Sequence, residues 1–201
     1  MDKLIIPLII SIFILTCLLY YRPDNNQRYI LSSLYFLWGK TKYVLDKHDI
    51  HYFACGGSLL GARRDGGIIQ HDDDIDIGVM EDEMHKLKSD SFNRDLEREN
   101  LYIKHGDITK IYSKDLKHGF FVDVFSFTES DKIITLTSES NREMWPDEYF
   151  YSREMFPVVE YKFGNLTIMG PHNPVPYFER FYGKDWMIPK KEHDHLGEIG
   201  L

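Results

Sequence analysis

The chain has 201 residues, 43% of them hydrophobic, which suits one domain with a full apolar core. Its formal charge of −8 disfavours a nucleic-acid polymer as partner, though not a small nucleotide whose charge a divalent cation offsets. The two cysteines, Cys17 in an apolar run and Cys55 in an expected strand, suggest neither a mutual disulfide nor a zinc site.

Leu4 to Tyr21 reads LIIPLIISIFILTCLLYY, eighteen nearly unbroken apolar residues. At about 1.5 Å per residue that run just spans a bilayer core of roughly 30 Å. Lys3 and Arg22 flank it, and Tyr20 and Tyr21 sit where interfacial aromatics belong. It lacks a clean small-x-small cleavage site, so an uncleaved single-pass anchor over residues 1–22 is favoured over a cleaved signal. Its orientation is weakly marked; in a eukaryotic cell the domain is expected in an ER/Golgi-type lumen. Residues 23–27 read as a polar linker. From Gln27 to Lys47, Ile30, Leu31, Leu34, Leu37, Trp38, Val44 and Leu45 recur at helical spacing and predict a helix packed on a sheet. His48 and His51 read as ordinary surface residues.

Tyr52 to Cys55 predicts a strand, Gly56-Gly57-Ser58 a tight turn, and SLLGARR a helix capped by Ser58. Backbone N–H groups at such a turn form an anion site, with phosphate the usual occupant. Then comes HDDDIDIGVM, where Asp72, Asp73, Asp74 and Asp76 run into an alternating strand. Alternation puts Asp74 and Asp76 on one face and Ile75 and Ile77 on the other. A solvated acidic loop accounts for Asp72 and Asp73. It does not account for an acidic pair inside an isoleucine-rich strand, where repulsion calls for a shared divalent cation.

Residues 81–100 read as a charged surface helix, and Gly106-Asp107 as the turn of a hairpin. FFVDVFSF, Phe120 to Phe127, is a further strand whose lone Asp123 shares a face with Phe121 and Phe125. A buried lone carboxylate is costly unless paired or metal-bound, which makes a solvent-facing Asp123 an awkward alternative. Lys132 to Thr137 reads as a strand and Asn141 to Arg153 as a loop or lid. Gly164-Asn165 marks a second hairpin, and Asn165-Leu166-Thr167 is a glycosylation sequon usable only if the domain is lumenal. His193 and His195 fall in a polar tail, residues 191–201.

The wording GGSLLGARRDGGIIQHDDDIDIG closely resembles the LicD family, which includes bacterial phosphocholine transferases and, more distantly, fukutin and the fukutin-related protein. FVDVF around Asp123 matches a hydrophobic-Asp-hydrophobic-Phe element of that family. The segment from MFPVVEYKFGN to Tyr182-Gly183-Lys184-Asp185-Trp186 matches its closing motifs. The resemblance covers residues 28–190. It implies an α+β, nucleotidyltransferase-like fold; the expected architecture is a mixed β-sheet of about five strands with flanking helices mainly on one face, preceded by the one N-terminal transmembrane helix read from the apolar run.

It also implies a Mg²⁺ (or Mn²⁺) enzyme that moves a phosphocholine- or ribitol phosphate-type group from a CDP-linked donor to a glycan hydroxyl. Metal-assisted phosphoryl transfer is what the residues themselves support. Asp74, Asp76 and Asp123 are the expected metal and catalytic residues. Gly56, Gly57, Ser58 and Arg64 are expected on the donor phosphates, with Arg64 matching the Arg of the family's G-A-x-R. Asp72 is expected to support the ligands from behind. Gln70-His71 stands where the family has Pro-Trp, so His71 is read as a planar replacement, with general base as the alternative. The chain is short for such an enzyme, and an oligomer or partner chain is a candidate for acceptor recognition. Two other readings stay open: an NTP-using nucleotidyltransferase, and a non-catalytic membrane-tethered binding protein of the same fold.

Overall fold

In a computed structural model, residue 11 and residues 25–116 and 119–189 are described. The expected anchor over residues 1–22, Ser11 apart, and the tail over 191–201 lie outside the described residues. Among the described residues no helix is long and apolar enough to cross a membrane.

The first described element after Ser11 is helix α1, Asn25–Lys47, opening two residues before its expected start. Its stripe of Ile30, Leu34, Leu37, Trp38, Val44 and Leu45 is buried as the spacing requires. There follow β1 (Tyr52–Ala54), α2 (Gly56–Arg64), β2 (Asp74–Met80) and α3 (Asp90–Arg98). The region after Met80 is thus a helix shorter than expected, preceded by a 3₁₀ turn at Lys86–Lys88. Ser89 caps α3 by accepting the Phe92 N–H at 3.2 Å.

The next elements are β3 (Leu101–Lys104), β4 (Thr109–Ser113), β5 (Phe121–Ser130) and β6 (Ile133–Leu136). After them come α4 (Glu139–Met144), β7 (Tyr149–Tyr151) and α5 (Ser152–Met155). Last are β8 (Val159–Phe163), β9 (Leu166–Gly170) and α6 (Val175–Phe181).

Strands β1 to β7 form one mixed sheet of seven strands, ordered β1-β2-β5-β4-β3, with β6 joining the far half of β5 and β7 joining β6. Only β2 and β5 run parallel. The expected five strands are exceeded by two, one of which, β7, lies in the segment read as a loop or lid. Its Phe150 is fully buried against the rings of Phe53, Phe127 and Tyr177, and that burial holds the chain extended.

The helices cover both faces of the sheet rather than mainly one. On one face α1 packs against β2 and β5, whose Ile75, Ile77, Val79, Val122 and Val124 are buried on that side, with Trp38 edge-on to Tyr52. On the other, Phe53 and Phe127 close over Gly78, and Tyr177 of α6 stacks on Phe150 at 4.4 Å. Asp74, Asp76 and Asp123 lie on this second face by alternation.

Strands β8 and β9 make the second expected hairpin, a separate two-stranded sheet. It is tied to the rest by the Trp38 indole N–H donating to the Thr167 carbonyl at 3.1 Å and by the Gly164 N–H donating to the Gly66 carbonyl at 2.7 Å. Gly164 has φ +66, and a Cβ there would meet the Tyr35 ring at 2.5 Å. Asn165 is exposed at the turn of this hairpin.

His48 has a structural task instead of lying idle on the surface. The Asp95 carboxylate of α3 receives His48 Nε2 at 2.9 Å, Lys47 Nζ at 2.9 Å and an Arg98 guanidinium nitrogen at 2.7 Å. These contacts lock the C-terminal end of α1 to α3, with Lys47 first among the causes that hold the Asp95 carboxyl well below the usual range. A depressed carboxyl stabilises the fold above its unfolded value, about 3.9, and loses that contribution as pH falls through the folded value. Asp95→Asn is therefore expected to lower the melting temperature at neutral pH, and the gap from the parent should close as thermal melts are taken down to about pH 2.

Candidate active site

Because β2 and β5 run parallel in register, Asp76 stands directly opposite Asp123, and Asp74 lies on the same face one alternation earlier. One ligand oxygen from each of the three lies within 4.8 Å of the others. Asp123 is buried, and Asp74 and Asp76 are half-buried. Burial, then the charge of Asp123, pushes the Asp74 carboxyl up, and burial with Asp74 and Asp123 pushes Asp76 up as well. Burial also raises Asp123, against the opposing pull of Lys110. Three crowded carboxylates that resist ionising together are a donor set for a hard divalent cation. The trio is assembled as its sequence requires.

The glycine turn works differently from its expected part. The Gly56 N–H donates to the Tyr177 hydroxyl at 3.1 Å, so it is committed to the protein. Gly56 has φ +50, and a Cβ there would stand 2.9 Å from Asp76 Oδ2. A Cβ on Gly57 would stand 2.9 Å from Asp72 Oδ2. The glycines thus make room for two carboxylates to approach the backbone. Ser58 does not cap α2: Cys55 is the capping residue and Ser58 lies inside the first turn. Its buried hydroxyl accepts the Asp76 N–H at 2.8 Å and fixes the start of the acidic strand.

Arg64 forks onto the neighbouring Asp65, Nε to Oδ1 at 2.9 Å and Nη2 to Oδ2 at 2.8 Å. Asp72 sits in the loop before β2, where burial and the charge of Asp73 raise its carboxyl to about 6. His71 is exposed, and its Nδ1 lies 2.9 Å from the Gln27 side-chain nitrogen. Gln27 also donates to the Gln70 carbonyl at 2.7 Å and accepts from the Gln70 side chain at 2.9 Å. The start of α1 is thereby clasped to the acidic loop.

Beside the trio opens a cavity of about 420 Å³, lined by Gly57, Arg64, His71, the acidic residues 72–74 and Asp76 on one side. Phe181, Tyr182 and Trp186 line the other, Trp186 packing its ring 4.6 Å from that of Phe178. Tyr182 and Trp186 belong to the closing Tyr-Gly-Lys-Asp-Trp motif, visible in the sequence but given no role there, and Phe181 directly precedes it.

Three further residues have no local sequence signal. Lys110 pairs in register with Asp123 and places Nζ 2.8 Å from Oδ1 and 3.0 Å from Oδ2. Tyr177, which takes the Gly56 N–H, donates its own O–H to buried Glu148 at 2.7 Å. Burial drives the Glu148 carboxyl up to about 7. A raised carboxyl stabilises the fold below its unfolded value and loses that contribution as pH rises through about 7. Glu148→Gln should flatten the decline in stability between roughly pH 4.5 and 7, followed by urea melts. Tyr177→Phe strands the Gly56 N–H and the Glu148 carboxyl, and should cost about 1–3 kcal/mol in the same measurement.

A family model described as "LicD/FKTN/FKRP, nucleotidyltransferase domain" matches residues 49–173. An uncharacterised protein of Rickettsia typhi is 36% identical over 163 residues, covering 78% of this chain and 49% of its own length. A second, from Rickettsia prowazekii, is 33% identical over 151 residues, covering 75% and 54%. Ribitol 5-phosphate transferase FKRP of Homo sapiens is 25% identical over 150 residues, covering 70% of this chain and 29% of its own. The chain spans about half the length of the first two relatives and less of the third. With its acidic strand, its glycine turn and β5 all inside the matched region, the chain belongs to the LicD/FKTN/FKRP family.

Proposed function

We propose that this domain is a divalent-cation-dependent phosphotransferase that moves a phospho-alcohol group, of the phosphocholine or ribitol phosphate type, from a CDP-linked donor to a glycan hydroxyl. The observation that carries the reading is the trio of Asp74, Asp76 and Asp123, within 4.8 Å of one another, beside a cavity of about 420 Å³. The human relative's name, ribitol 5-phosphate transferase, supports the class of group transferred.

Asp74, Asp76 and Asp123 would hold Mg²⁺ or Mn²⁺, whose bound charge neutralises a pyrophosphate and its leaving group. Gly57 presents the first turn of α2 to the cavity, where helix-end N–H groups favour a phosphate. Arg64 offers a planar fork at the same wall once a phosphate competes with Asp65. Phe181, Tyr182 and Trp186 give the opposite wall an apolar surface that excludes water and suits a stacked base. Residues 1–22 are assigned as a single-pass membrane anchor, on the eighteen apolar residues from Leu4 to Tyr21.

An NTP-using nucleotidyltransferase would draw on the same carboxylates, and the matching family model carries that word in its description. The test is release of CMP from CDP-choline or CDP-ribitol by purified protein with Mg²⁺, with pyrophosphate release from CTP measured beside it. CMP release without reaction of CTP is the expected result; the reverse would select the nucleotidyltransferase. Asp76→Asn should lose about a hundredfold or more in rate, while Asp73→Asn, one step out of phase, should lose little. In EDTA the Asp76→Asn protein should melt no lower than the parent, because a repulsive neighbour is gone.

A further inference from the structure

We propose that Lys110 is a built-in counter-ion of the carboxylate centre: its ammonium holds Asp123 while no divalent ion is bound, and it competes with an incoming ion for that carboxylate. The inference rests on the metal-centre reading of the trio. Lys110 reaches Asp123 from the neighbouring strand, since β4 and β5 pair them directly across the sheet. Its Nζ lies within 3.0 Å of both carboxylate oxygens and 3.6 Å over the centre of the Phe121 ring. That ring contact fixes the ammonium in addition to the ion pair.

Contact with Asp123 Oδ1 is ionic rather than an aligned hydrogen bond, so this buried oxygen keeps a free lone pair. An oxygen held by charge alone is free to accept another cation. Asp74 and Asp76 line the cavity, whereas Asp123 and Lys110 do not. An ion arriving from the cavity therefore meets the first two carboxylates before it meets the third, and finds an ammonium already seated there. Once a bound cation holds all three carboxylates ionised, they and the one ammonium leave two net negative charges, which one divalent ion balances and two would exceed. Lys110 thus has two opposed effects: it stabilises the ion-free centre, and it weakens and limits ion binding.

The test is Mn²⁺ titration of the full chain, by calorimetry or by the electron paramagnetic resonance of free Mn²⁺, together with thermal melts in EDTA and in Mn²⁺. Lys110→Met is expected to bind Mn²⁺ about tenfold or more tighter than the parent, to melt lower in EDTA, and to recover in Mn²⁺. Lys110→Gln, which keeps a hydrogen-bonding group without charge, should follow it. Lys110→Arg should stay close to the parent in both measurements. In the parent itself, the Lys110 ammonium signal in lysine ¹⁵N spectra should move when Mg²⁺ is added; a signal that stays still overturns the proposal even if the variants fail to fold. Mn²⁺ affinity that is unchanged or weaker in the Met and Gln variants overturns it as well. A parent that binds no Mn²⁺ removes the metal-centre reading itself, a result distinct from a parent that binds Mn²⁺ with no dependence on residue 110.

Discussion

The site depends on one pairing, the parallel ladder between β2 and β5. That register sets Asp76 opposite Asp123 and leaves Ile75 and Ile77 facing α1 with Val122 and Val124. A slip of one residue would turn the carboxylates into the apolar core and the isoleucines into the cavity. The hydrophobic effect that buries α1 against the sheet therefore also fixes the acidic geometry. The electrostatic cost of crowding three carboxylates is carried by packing elsewhere: the aromatic cluster of Phe53, Phe127, Phe150 and Tyr177 continues the same face immediately beyond them.

Around that ladder, neutral groups hold the backbone rather than the carboxylates. Ser58 takes the Asp76 N–H, and Tyr177 takes the Gly56 N–H while leaning on Glu148. Both contacts reach the acidic strand and its neighbouring turn through the main chain. The side-chain oxygens of the trio cluster with one another, and those of Asp123 meet Lys110, an arrangement suited to an external cation.

The carboxylate trio was legible because strand alternation reports a face from sequence alone, and because a single Asp among phenylalanines has few inexpensive explanations. Ser58 was legible as important but not in its role. A serine after two glycines and before a helical run has the composition of a cap, yet the helix already begins at Gly56 after Cys55, so Ser58 lies inside the first turn and its hydroxyl takes the Asp76 N–H. Lys110 requires the β4–β5 register, and Glu148 meets Tyr177 from 29 residues away, so neither contact leaves a local pattern. Helix α6 hid inside a proline-rich stretch that reads as a bend. Pro174 and Pro176 fall at its very start, where a missing N–H costs nothing.

The clasp between Gln27 and the Gln70–His71 loop makes the entry of the chain and the rim of the cavity a single mechanical piece. Force applied to the polypeptide before Asn25 passes along α1 into the loop that carries Asp72 and Asp73. The exposed turn at Asn165 stands on a separate two-stranded sheet and touches the same connection farther back, where the Gly164 N–H donates to the Gly66 carbonyl. A fluorophore or immobilising handle fused ahead of α1 would act as a lever upon the rim itself, whereas one at Asn165 would pull on the connection at Gly66, before the acidic residues.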